Sequence, residues 1–262
     1  MTALRLDGLT VAGPAGNLIL DAVGFHVDEG EIVGLVGESG SGKSMTSLAL
    51  GGLLPAVINP LQGTASLGDS TFMTGGRATR RPKISIVFQN ARAALNPTMR
   101  VGHQIERLLR SRGRRGDLGA EVDSLLTSVG IPDPARVRRS YPHQLSGGMN
   151  QRVMIGLGIA AEPDVLIADE PTTGLDVTVQ AQILDLIKHT TASSGRGVLF
   201  ITHDLGVVAQ MCSRVVVLRG GKIMEIGNVD DIFHAPSNPY TKELVASATS
   251  EVTRRTRKDA GQ

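Results

Sequence analysis

Residues Gly37-Glu38-Ser39-Gly40-Ser41-Gly42-Lys43-Ser44 place glycines, a lysine and a serine at the spacing G-x-x-x-x-G-K-[ST]. Backbone N–H groups that converge on a helix N-terminus welcome an anion, and glycines let the chain close around phosphate oxygens. Lys43 is then expected to reach the β- and γ-phosphates of a nucleotide, with the Ser44 hydroxyl as a Mg²⁺ ligand. Asp169 and Glu170 follow the apolar run Val165-Leu166-Ile167-Ala168. Asp169 is expected to bind Mg²⁺ through water on the same side as Ser44, and Glu170 to polarise a water aimed at the γ-phosphate. His203 ends a second apolar run, Val198-Leu199-Phe200-Ile201-Thr202, where a neutral imidazole can hold phosphate and attacking water in register. Gln89 ends a third, Ile84-Ser85-Ile86-Val87-Phe88. Taken singly, these are a glycine turn, an acidic pair capping the turn at Pro171-Thr172-Thr173-Gly174, and a structural histidine. Jointly they describe an open α/β nucleotide site, in which polar residues at successive strand ends converge on one ligand.

The elements that must position these residues are legible in the periodicity. Ile32-Val33-Gly34-Leu35-Val36 reads as a strand delivering the glycine loop, and Met45 to Leu54 as the helix after it. Leu4 to Val11 alternates as a half-exposed strand, turns at Gly13-Pro14-Ala15-Gly16-Asn17, and a second strand runs from Ile19 to Val27. The stretch from Pro55 to Pro82 reads as irregular, with only Thr64 to Leu67 strand-like. Ile84 to Phe88 reads as a buried strand. From Ala91 to Ala161 the period changes to about 3.6, with Val101, Ile105, Leu108 and Leu109 on one face and Val122, Leu125, Leu126 and Val129 on another. Arg110 to Arg115 is a basic turn between its first helices, read as a solvated loop. Strand and helix then alternate again, with helices at Val177–Thr191 and Leu205–Met211 and a hairpin turn at Gly220-Gly221. Strands separated by helices imply a largely parallel sheet covered on both faces. The basic tail Thr253-Arg254-Arg255-Thr256-Arg257-Lys258 is expected to be frayed.

Composition removes other classes. Lys and Arg number 27 against 25 Asp and Glu, a net charge of +2, too small to make nucleic acid the main partner. The aromatic share of 3% with no Trp provides no platform for stacking bases. A single cysteine, Cys212, excludes an internal disulfide or multi-cysteine metal site and reads as a small buried side chain. No run approaches the ~20 apolar residues of a membrane span, and Met1 to Asp7 lacks the pattern of a signal peptide.

Leu145-Ser146-Gly147-Gly148-Met149-Asn150-Gln151-Arg152 places a serine and two glycines before the helix-like run Val153 to Ala161, a second anion cradle in one chain. A single nucleotide does not need two. With GESGSGKS, Gln89, VLIADE, the turn Gly174-Leu175-Asp176 and His203 in this order, residues 1–235 resemble the ATPase subunit of an ABC transporter. The resemblance implies an α/β, P-loop NTPase core, mostly parallel with N-terminal antiparallel strands, at 1–90 and 162–235. It implies an inserted helical signature subdomain at 91–161 and a C-terminal tail at 236–262. ATP and Mg²⁺ are the implied cofactors. Two subunits would pair head to tail, with each ATP between Lys43 of one and Ser146-Gly147-Gly148 of the other and with Asp176 in the crossing contacts. Gln89 would link Mg²⁺ and γ-phosphate to the groove that receives a helix of the membrane subunit.

Met149 in the signature, Tyr141-Pro142-His143-Gln144 before it, and Asn238-Pro239-Tyr240-Thr241 resemble the peptide and nickel importer branch. That branch implies a second, non-identical ABC ATPase, two permeases and a periplasmic or extracellular solute-binding protein, with this subunit on the cytoplasmic face of the membrane. An exporter ATPase and a soluble ABC ATPase acting on nucleic acid or ribosome are the alternative readings. The chain lacks the C-terminal cysteine cluster of longer members, which points to a nickel-type or compact peptide-type subunit. It also has no aromatic residue before Phe25 on which adenine could stack, so adenine is expected to lean on aliphatic contacts such as Val11.

Overall fold

The structure, a computed structural model, describes residues 1–248; the basic stretch from Thr253 to Lys258 and the end of the C-terminal tail lie outside the described residues. The chain divides into two compact units. One holds residues 1–82 together with the chain from Gly197 onward, the other Lys83–Arg196.

In the first unit β1 (Thr2–Ala12) pairs antiparallel with β2 (Leu18–Asp28), as Leu4↔Val27, Leu6↔Phe25, Leu9↔Val23 and Val11↔Leu20. Strict alternation would put Leu9 and Val11 on the face opposite Leu4 and Leu6. The ladder avoids this by carrying four residues of β1, Leu6 to Leu9, against three of β2, Phe25 to Val23, a bulge at Gly8 (φ +62). Four residues of β2, Leu20 to Val23, then oppose three of β1, Leu9 to Val11, at Ala22 (φ 52), whose N–H donates to Thr10 Oγ1 at 3.1 Å. Leu4, Leu6, Leu9 and Val11 are thereby all buried. Leu4 to Asp7 alternates buried and exposed as the sequence suggested, whereas Leu9 to Ala12 is buried at every position.

β3 (Ile32–Val36) is buried throughout and feeds the glycine loop into α1 (Lys43–Leu50). The stretch expected to be irregular instead forms β4 (Asn59–Leu67), β5 (Ser70–Thr74) and β6 (Arg77–Ala78), giving the antiparallel order β2-β1-β4-β5-β6. Pro60 pairs only with Val11 of β1, before β5 joins at Ala65, so its missing N–H removes no bond to β5. Gly75-Gly76, with φ of 59° and 73°, is the tight turn of the β5–β6 hairpin.

The second unit opens with β7 (Ile84–Val87), where only Val87 is fully buried. This corrects the expectation of a buried strand: among the described residues β7 has a strand on one side only. The helices α2 (Ala91–Ala94), α3 (Val101–Ser111), α4 (Gly119–Ser128), α5 (Pro134–Arg139) and α6 (Gly147–Ala160) follow. Val101, Ile105, Leu109, Val122, Leu126 and Val129 are buried on the faces their spacing marks. β8 (Val165–Asp169) pairs parallel with β7, and α7 (Val177–Ser194) completes the unit.

Back in the first unit, β9 (Gly197–Ile201), α8 (Leu205–Met211), β10 (Arg214–Arg219), β11 (Lys222–Asn228) and α9 (Val229–His234) follow, with 239–248 helical. β3 lies parallel between β9 and β10, and β11 returns antiparallel beside β10. Arg214 closes this layer with a two-pronged ion pair to Glu31, Nε to Oε1 at 3.0 Å and Nη2 to Oε2 at 2.9 Å. Burial pushes the Glu31 carboxyl up, but the Arg214 guanidinium and the Asp28 N–H outweigh it and hold it below its ordinary value. Cys212 is buried. Among the described residues no helix is long and apolar enough to cross a membrane.

Candidate functional site

The glycine loop gets its shape from close neighbours. A Cβ on Gly37 (φ +150) would lie 2.0 Å from the Leu218 carbonyl oxygen, and one on Gly42 (φ +107) 2.6 Å from Leu20 Cδ2. Only glycine fits at either position. Gly42 is the N-cap residue of α1 and offers no side-chain cap. Lys43 is buried and folds back over the loop, donating from Nζ to Gly37 O at 2.7 Å and Glu38 O at 2.9 Å. Ser44 is exposed at the head of α1. Ser41 Oγ is buried without a hydrogen-bond partner. An uncapped helix start, a lysine ammonium held among loop carbonyls and an orphaned hydroxyl are donors suited to an anion.

His203 belongs to the same unit. Leu35 of β3 is in register with Ile201 of β9, so Gly37 and His203 emerge from neighbouring strands at the same edge. His203 is exposed, between that strand and α8, whose N-cap Asp204 accepts from Gly206 and Val207 N–H at 2.9 and 3.2 Å.

The second unit gathers the other candidates. Asp169 is buried at the end of β8, and Glu170 follows in a left-handed conformation, φ 47. Glu170 Oε2 accepts from Gln89 Nε2 at 2.9 Å and Thr173 Oγ1 at 3.0 Å, so two strand ends predicted to act together do meet. In the sequence Thr173 reads only as part of a turn; its hydroxyl, three residues after Glu170, is the available signal. Ser146 is the N-cap of α6, accepting from Met149 N–H at 3.3 Å. Gly148 is pressed against α7, where a Cβ would meet Val179 Cγ1 at 2.7 Å. Asp176 caps the same helix, accepting from Val179 N–H at 3.0 Å. Ser146-Gly147-Gly148 and Asp176 therefore share one surface.

Asn150 has a structural task that the sequence reading did not give it. Its Nδ2 donates to Pro142 O, Leu145 O and Ser146 O at 3.0 to 3.4 Å, latching the approach to α6. Val11 is fully buried, which rules it out as a surface for adenine; Leu18, 49% exposed in the same hairpin, is the accessible aliphatic side chain.

Tyr240, singled out only as part of a branch motif, reaches the glycine loop. Its hydroxyl accepts from Glu38 N–H at 3.4 Å, and the Arg219 guanidinium lies 4.4 Å from its ring centre. Burial foremost, with the Glu38 carboxylate beside it, raises the phenol above its ordinary value, so Tyr240 stays neutral at physiological pH.

A family model described as ABC transporter matches residues 20–173. The chain belongs to that family. This ABC protein is 47% identical over 236 residues to the dipeptide transport ATP-binding protein DppD of Bacillus subtilis (strain 168), covering 86% of this chain and 69% of that protein. The dipeptide transport ATP-binding protein DppD of Escherichia coli (strain K12) is 41% identical over 254 residues, 94% of this chain and 78% of the other. Among solved structures, a dimeric ATP-binding cassette in a post-hydrolysis state bound to ADP and Pi matches with a TM-score of 0.73 at 28% identity, over 86% of this chain and 98% of that one. The expected α/β architecture, antiparallel at the N-terminus and parallel around β3, is the one this ABC protein has.

Proposed function

We propose that this chain is the ATP-hydrolysing subunit of an importer that carries peptides across the cytoplasmic membrane. The observation that carries the reading is the Glu170 carboxylate, held by Gln89 and Thr173 at the end of β8 next to buried Asp169, in a chain that also has a complete phosphate loop. The similarity to dipeptide transport ATP-binding proteins supports peptides over nickel as the cargo class.

In this reading residues Gly37 to Ser44 wrap the phosphates of ATP. Lys43 exchanges its loop carbonyls for β- and γ-phosphate oxygens. Glu170 orients the attacking water and takes its proton, and His203 holds the γ-phosphate side of that water. Among the described residues no three His, Cys, Asp or Glu side chains form a cage for a metal. Mg²⁺ takes most of its oxygens from substrate phosphates and water. Ser44 and Gln89, with Asp169 through water, would hold it, and it would neutralise charge developing on the phosphates.

Ser146, Gly147, Gly148 and Asp176 would complete the site of a facing ATPase. The functional division is a P-loop core at 1–90 and 162–235, a signature region at 91–161 and an importer-type tail from 236. The partners are a second ABC ATPase, two permeases and a solute-binding protein, with this chain peripheral on the cytoplasmic side. Titration with MgATP tests the reading. Lys43→Ala should abolish tight binding, and unchanged affinity would remove the phosphate-loop assignment.

A further inference from the structure

The segment Asn238-Pro239-Tyr240-Thr241 is left over once the nucleotide chemistry has been assigned, yet each of its side chains has a defined place. Asn238 Oδ1 accepts from Tyr240 N–H at 2.9 Å, in the manner of a helix cap, and its Nδ2 donates to Met224 O at 3.1 Å. Pro239 occupies the first position of the 239–248 helix, where its missing N–H costs nothing. The Glu225 carboxylate accepts from Ser237 and Asn238 N–H at 2.8 and 3.1 Å, and Thr241 is fully buried. Met224 and Glu225 lie on β11, so the segment is fastened to the β10–β11 hairpin.

The same hairpin grips the glycine loop. Gly221 N–H donates to Ser41 O at 2.9 Å, and the Leu218 carbonyl leaves no room for a side chain on Gly37. Arg219, between these two residues, stacks on Tyr240, whose hydroxyl takes the Glu38 N–H. The loop is thus held at Gly37, Glu38 and Ser41 by one assembly, two points from the hairpin and one from Tyr240.

We propose that Tyr240 is a positioning residue for the phosphate loop, and that the Asn-Pro-Tyr-Thr segment and the β10–β11 hairpin form a collar that sets the loop in its nucleotide-receiving shape. The proposal rests on the reading of residues 37–44 as the ATP phosphate loop. Fixing a residue's backbone costs conformational entropy. A loop already held before nucleotide arrives leaves less of that cost to be met by binding.

Two measurements on the full chain test it. Tyr240→Phe keeps the ring against Arg219 and removes only the hydroxyl. It should weaken MgATP binding by roughly twofold to tenfold, the range for one lost hydrogen bond, while the thermal midpoint without nucleotide stays at the wild-type value. In the nucleotide-free protein, amide hydrogen exchange should speed up at residues 37–41 in Tyr240→Phe, and more so in Tyr240→Ala. A Tyr240→Phe chain with wild-type affinity and wild-type exchange overturns the collar. So does an affinity loss that comes only with a lowered thermal midpoint, since Tyr240 would then merely anchor its own helix. A wild-type chain that binds no nucleotide refutes the functional reading, and the exchange comparison still decides the collar.

Discussion

Glu170 holds a constrained position in the candidate site. Its backbone sits at φ 47, and its carboxylate has Gln89 and Thr173 as partners. Glu170→Gln keeps the size and gives up the base, so it should bind ATP as before and lose hydrolysis by several orders of magnitude, read as phosphate release in the assembled transporter. Hydrolysis within about threefold of wild type would shift the base role to His203. Thr173→Val should have a smaller effect through the same carboxylate, lowering kcat by roughly tenfold with KM unchanged, because it removes one of two hydrogen bonds to Oε2 without altering charge.

Two fastenings between elements carry measurable stability. Asn150→Ala removes the latch on three carbonyls ahead of α6, at a cost of about 1–3 kcal/mol. Calorimetry should show the thermal midpoint lowered by several degrees. The Glu31–Arg214 pair adds a pH dependence. Because the folded-state pKa of Glu31 is depressed, its contribution is present above the ordinary value of 4.5 and is lost as pH falls through the lower folded value. Arg214→Met should therefore lower the thermal midpoint at pH 7, and the gap from wild type should narrow on acidification below pH of about 4.5. An unchanged gap would mean that the pair is not the cause.

Elements also show where sequence reading stops. The strand ends at Gln89, Asp169-Glu170 and His203 were legible because an apolar run closing on a polar residue is a local pattern. β4 to β6 were not, because Pro60 and Gly75-Gly76 look like loop punctuation until the partners in the ladder are known. The bulge at Gly8 was hidden for the same reason: alternation counted along one strand cannot see a surplus residue that only the neighbouring strand exposes. Tyr240 lies 202 residues from Glu38, a separation no periodicity spans.

For the molecule as a whole, the reading of Ser146-Gly147-Gly148 as part of a neighbour's site makes a test in trans possible. Ser146→Arg should leave this chain's own MgATP binding intact and silence hydrolysis at the facing site. Loss confined to its own phosphate loop would refute the paired arrangement. We expect the natural partner to be a second, non-identical ATPase, so the chain purified alone should be largely monomeric and weakly active. Mass measurement of the intact complex decides this, and two copies of this chain on the permeases would refute it. The left-handed backbone at Glu170 has a further consequence at this scale. Such strain costs about 1–3 kcal/mol, out of a net stability that rarely exceeds ~15 kcal/mol. Laboratory evolution rewarding heat tolerance alone would thus favour glycine or asparagine at position 170 and yield hardier lineages unable to turn over their fuel.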